Sequence, residues 1–138
     1  IILQAKGAKR IKSKLAGHLE PLTLSLLNIT HGKQLDQLIG AQTIESYHQL
    51  KANLVSIAYA NYFIELIYNL TQAEHVDQQI FILLKKSLSF LNSTNKRHYK
   101  VARISFGFKL LHLLGFDSSV NSQFDLNQEI GYIVKNTI

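Results

Sequence analysis

The spacing of apolar residues changes once along the chain. Up to residue 42 it follows a period of two. "IILQA" is a short apolar run ended by Gly7, and "LTLSLLNIT" sets Leu22, Leu24 and Leu26 against Thr23 and Ser25, the alternation of a half-buried strand. His31-Gly32-Lys33 supplies a turn, after which "QLDQLIGAQTI" resumes as a shorter strand-like run. Three strands make a poor independent sheet, because an open fragment leaves unpaired edges and an uncovered apolar face. Partner strands are therefore expected upstream.

From Thr43 the period becomes helical. In "TIESYHQLKANLVSIAYANYFIELIYNLTQ" one stripe holds Leu50, Leu54, Ile57, Asn61, Ile64 and Tyr68, while Val55, Tyr59, Tyr62, Phe63 and Leu66 spread over the other sides. Apolarity on most sides predicts a central helix. Asp77 is placed to cap "QQIFILLKKSLSFLN", where Ile80, Leu84, Leu88 and Leu91 recur at helical spacing. A third helix, "HYKVARISFGFKLLHLLGF", carries Ile104, Phe108 and Leu111 on one face and stops at Gly115, a natural left-handed C-terminal residue. The tail "DSSVNSQFDLNQEIGYIVKNTI" is polar, then turns at Glu129-Ile130-Gly131 into "YIV", the pattern of one hairpin. No internal repeat or linker-like tract separates these parts, so they are expected to pack directly.

Composition narrows the classes. With 138 residues, 46% of them hydrophobic, the chain can bury a core. Its 15 Lys+Arg against 9 Asp+Glu give a net charge of +6, which favours phosphate-bearing or acidic partners. The absence of cysteine excludes disulfides, thiolate zinc sites and cysteine nucleophiles. No apolar run approaches the ~20 residues of a membrane helix, and a cytoplasmic location is expected. The chain opens on Ile1-Ile2-Leu3 and contains no Met, which predicts a natural beginning further upstream.

The positive charge is clustered. "AKGAKRIKSKLAGHLEP" places Lys6, Lys9, Arg10, Lys12 and Lys14 in one irregular loop with no acid before Glu20. Lysine stems there can fan along a sugar-phosphate backbone, giving salt-steep, sequence-independent affinity; the plain alternative is a solvated turn. From Gln78 to Phe116 there are seven further cations (Lys85, Lys86, Lys96, Arg97, Lys100, Arg103, Lys109) and no acid, which suits binding as well as two solvated helix faces. The aromatics lie at helical spacing and are assigned to packing rather than to base stacking. His18, His31, His48, His75, His98 and His112 form no HxH or HExxH pattern. Ser13, His18 and Glu20 come without a nucleophile elbow, and there is no Walker loop or GxGxxG. Nothing in the sequence asks for catalysis, a metal or a cofactor.

Three blocks, "AKGAKRIKSKLAGHLEPLTLSLLNITHGKQLDQLIGAQTIESY", "LVSIAYANYFIELIYNLT" and "FGFKLLHLLGF", resemble in order and spacing the RecO family of bacterial recombination and DNA-repair proteins. The first block is the most specific, with its KGA-plus-basic loop, His-Leu-Glu-Pro strand entry and Ile-Glu-Ser helix start. The resemblance implies an α+β chain. Residues 1–42 would be a partial OB-fold β-barrel, 43–116 a helical domain, and 117–138 a cysteine-free remnant of the family's four-cysteine zinc hairpin, keeping a Phe-Asp and a turn glycine without zinc. It also implies a non-enzymatic mediator that binds single- and double-stranded DNA and anneals strands. Such a mediator works with RecR and the C-terminal tail of the single-stranded-DNA-binding protein SSB, and indirectly loads RecA. The basic loop would take DNA. The candidate seat for the acidic SSB tail is a stripe of Lys96, Lys100 and Arg103 at i, i+4, i+7, continued by Gly107, whose missing side chain leaves a notch. The alternatives are that Gly107 lets another helix approach closely, and, for the whole chain, a basic RNA- or ribosome-associated module.

Overall fold

In the computed structural model, residues 3–5, 15–32, 35–72 and 77–116 are described. The chain is α+β. Strands β1 (Leu3–Gln4), β2 (Leu24–Thr30) and β3 (Asp36–Glu45) are followed by helices α1 (His48–Lys51), α2 (Leu54–Leu70), α3 (Gln78–Ser93) and α4 (Tyr99–Leu113). Short 3-10 turns precede β2 (Ala16–Leu19) and α4 (Lys96–His98).

The sheet has the order β1-β3-β2, with β1 parallel and β2 antiparallel to β3. Among the described residues no further strand closes it into a barrel. Gly32 earns its place in the turn before β3, because a Cβ there would collide with the Leu35 carbonyl oxygen. Strand β3 is longer than its sequence pattern suggests. Thr43 pairs with Ser25 and Glu45 with Leu24, so the helical texture read from Thr43 onward belongs to a strand as far as Glu45. Ladder pairing with β2 overrides the local spacing.

The chain leaves β3 through Tyr47, which holds a left-handed φ of 49°. That conformation is unfavourable for a residue with a Cβ. It is offset by burial of the ring, which is 1% exposed, and by the Glu45 carboxylate, which accepts the Tyr47 N–H at 3.1 Å. The single long helix expected over 43–72 is interrupted at Ala52–Asn53. Asn53 caps α2, its side-chain oxygen accepting the Val55 N–H at 2.9 Å. Buried Ser56 donates to the carbonyls of Leu50 and Asn53, both at 2.8 Å. The amide of Leu50, the third residue of α1, donates to Asn92 Oδ1 on α3 at 3.0 Å. Asp77 caps α3, accepting from Gln79 and Ile80. Gly115 ends α4 at φ 82°, with the Phe116 N–H returning to the Leu111 carbonyl.

The core lies among the helices. It is formed by Tyr47 and Leu50 beside α1, Ala60 and Phe63 of α2, Ile80, Leu88 and Leu91 of α3, and Tyr99, Phe106 and Leu110 of α4. Phe63 and Phe106 stack with centroids 4.2 Å apart, and the Tyr99 hydroxyl donates to the Leu91 carbonyl inside the core. The α3 stripe read from the sequence is the buried one. On α2 and α4 the structure selects other faces: Leu54, Ile64 and Tyr68 are exposed, as are Ile104, Phe108 and Leu111. Where a helix is apolar on several sides, small residues decide. Ser56 and Ala60 let α2 pack closely, and Ser105 occupies the inner face of α4.

Candidate nucleic-acid interface

The proposed DNA-binding residues Lys6, Lys9, Arg10, Lys12 and Lys14 lie outside the described residues, as does the remnant at 117–138. The segment that receives the loop is described. At its end, the 3-10 turn Ala16–Leu19 is tied to the sheet by His18. His18 Nδ1 lies 3.2 Å from the Thr43 N–H, an obligatory donor, so Nδ1 accepts. The Thr43 hydroxyl at 2.8 Å must then donate to the same nitrogen, which leaves the ring proton on Nε2. Ser25 Oγ donates to the His18 carbonyl at 2.7 Å. Loss of this clamp should be measurable: His18→Ala is expected to cost about 1–2 kcal/mol in chemical denaturation, from two side-chain hydrogen bonds. An unchanged denaturation midpoint would mean that solvent replaces the clamp without loss.

The second basic region is ordered by α3 and α4. Lys85, Lys86, Lys96, Arg97, Lys100 and Arg103 are exposed. The two ion pairs among the described residues, His31 with Asp36 and Lys51 with Glu20, lie elsewhere. Lys100, Arg103 and Gly107 share one stripe of α4. Lys96 stands in the preceding 3-10 turn, so α-helical spacing does not carry it onto that stripe. The Arg103 guanidinium lies 6.0 Å from the centre of the Tyr62 ring on α2. A Cβ built on Gly107 meets no atom of the described residues within 4 Å, so no described helix approaches closely there. Beside it, Ile104, Phe108 and Leu111 form an exposed apolar ridge.

Sequence reasoning missed a cleft on the other side of α4. At 3.6 residues per turn, Val101, Ala102, Ser105 and Lys109 face away from the Lys100–Gly107 stripe. With Leu83, Lys86 and Phe90 of α3 they line a cavity of about 240 Å³. The signal was present as facing helical rows, Leu83-Lys86-Phe90 and Val101-Ser105-Lys109. Only tertiary packing brings the two rows together.

Among the described residues no three histidine or carboxylate side chains gather where they could hold a metal ion. No described helix is long and apolar enough to cross a membrane.

A small β-sheet followed by a helical layer whose last two helices are cation-rich and free of acids defines the class, an α+β protein with a basic surface on α3 and α4. The profile of the family described as "Recombination protein O C terminal" matches residues 51–131, more than half of the chain, and the chain belongs to this RecO family. It is 30% identical over 126 residues to a DNA repair protein RecO of Dehalococcoides mccartyi, covering 91% of this chain and 49% of that relative. A RecO of another strain of that species is 37% identical over 89 residues, covering 64% of this chain and 35% of the relative. The RecO of Symbiobacterium thermophilum is 30% identical over 116 residues, covering 84% and 46% respectively. The chain thus spans about half the length or less of these relatives.

Proposed function

We propose that the chain acts in DNA repair as a non-enzymatic, DNA-binding recombination mediator. It anneals complementary strands and, with RecR and SSB, helps to load the RecA recombinase. The observation that carries this reading is the surface of α3 and α4, seven cations without an acid between Gln78 and Phe116, in a chain whose relatives are DNA repair proteins. Cations along two strands screen their phosphates from each other and lower the repulsion that opposes pairing. Strand annealing by the purified chain, followed by fluorescence, tests it. Acceleration that falls steeply with salt is expected. No acceleration, or a strong preference for structured RNA in competition binding, would replace the reading with that of an RNA-associated module.

The acidic C-terminal tail of SSB is proposed to dock on the outer side of α4. Lys100 and Arg103 would meet its acids, and its terminal aromatic would lie in the notch at Gly107 against Ile104 and Phe108. Arg103→Glu is expected to weaken binding of the tail peptide roughly tenfold by placing like charges together. Gly107→Leu should abolish it while keeping or slightly raising the melting temperature, because the new side chain enters open space and leucine favours a helix interior over glycine. Calorimetric titration that finds both variants equal to the parent would move the peptide elsewhere.

A further inference from the structure

We infer that the cleft between α3 and α4 is a subsite for single-stranded DNA that takes one unstacked nucleobase, with a neighbouring phosphate on the exposed Lys86. This inference rests on the reading that the chain binds DNA, and adds where and how it distinguishes a single strand from a duplex.

The cleft combines three features. Its walls are largely apolar, and the half-buried ring of Phe90 lines one side, a surface on which the face of a base can stack. Lys86 stands on the α3 wall and Lys109 on the α4 wall. They belong to an acid-free run that continues through Lys96 and Arg97 at the turn before α4, and such a path suits a repeating polyanion. Ser105 is only 4% exposed and lines the cleft, and its hydroxyl has no hydrogen bond among the described residues. Neighbouring Ser87, in contrast, donates to the Leu83 carbonyl at 2.8 Å.

Ser105 decides between a base and a peptide. A phenylalanine or leucine side chain filling the cleft would cover that hydroxyl and leave it without a partner, which is unfavourable. A base presents carbonyl, ring-nitrogen or amino groups at its edge and can satisfy it. A duplex cannot use the site without extruding a base, so the cleft favours an unpaired strand.

The probes are a thymidine oligonucleotide, an abasic oligonucleotide of the same length, the matching duplex and an acidic peptide ending in phenylalanine, each titrated into the whole chain by fluorescence anisotropy. The thymidine strand should bind roughly tenfold tighter than the abasic strand, the worth of one stacked base. Phe90→Ala should remove that difference and leave duplex binding unchanged. Ser105→Ala, which changes no packing volume beyond one oxygen, should narrow it with the circular dichroism spectrum intact, and serves if Phe90→Ala fails to fold. Equal binding of thymidine and abasic strands by the parent would overturn the subsite while leaving DNA binding in place, whereas absence of binding to every DNA probe would remove the underlying reading. Loss of peptide binding in Phe90→Ala, with the thymidine preference retained, would make the cleft a peptide site and overturn the inference.

Discussion

Phe63→Ala is expected to destabilise the protein by about 3–5 kcal/mol, against a total of roughly 5–15 kcal/mol for a domain of this size. The ring is completely buried, stacks on Phe106 at 4.2 Å, and sits where α2 meets α4. Truncation removes apolar contact on both helices and leaves a cavity that neighbouring helices cannot fill without moving. Leu54→Ala is the matching control. Leu54 is 81% exposed although it lies on the stripe that periodicity alone favours, and its loss should change stability by no more than about 0.5 kcal/mol. Guanidinium unfolding followed by circular dichroism separates the two. If Leu54→Ala costs as much as Phe63→Ala, the face of α2 assigned to the core is wrong.

Replacing Lys9, Arg10 and Lys12 together by Ala should have the largest effect on DNA binding. Each phosphate contact to a single strand contributes ~0.7 to the slope of log affinity against log salt, so three lost contacts flatten that slope by roughly two. At low salt, where counterion release is strongest, the affinity loss should be greatest. It should shrink as salt rises. The melting temperature should barely change if these cations serve DNA rather than packing, since solvated surface charges contribute little to stability. An unchanged slope would place the DNA on other cations, and Lys86 would be the next to replace.

How far these features could be read in advance depended on whether local chemistry or packing determines them. The caps were legible: Asp77 before an apolar periodic run and Gly115 after one act on backbone groups within a few residues. The α3 face was legible because Lys85, Lys86 and Ser89 leave one apolar side. The α2 and α4 faces were not, because both helices carry large apolar residues nearly all round and the choice falls to small residues at contacts distant in sequence. The reach of β3 to Glu45 was hidden for the same reason, since its partners Leu24 and Ser25 lie some twenty residues away. The run of cations without an acid over Gln78–Phe116 can be read in the sequence, whereas the cleft lined by Ser105 exists only once α3 and α4 are side by side.

The bonding around α1 has a mechanical consequence. In this four-residue helix the Leu50 amide donates to the Asn92 side chain of α3. The next residue, Lys51, reaches the other way, to Thr23 at 2.6 Å and Glu20 at 3.5 Å, beside the strand entry. A connection between a sheet and a helical layer is ordinarily where a hinge would open. Here the connector is bolted to both neighbours, so bending at residues 46–53 would break bonds on each side at once. Three bonds made by two consecutive residues thus tie the connector to both the sheet side and the helical layer, so loosening one attachment exposes the others to strain together.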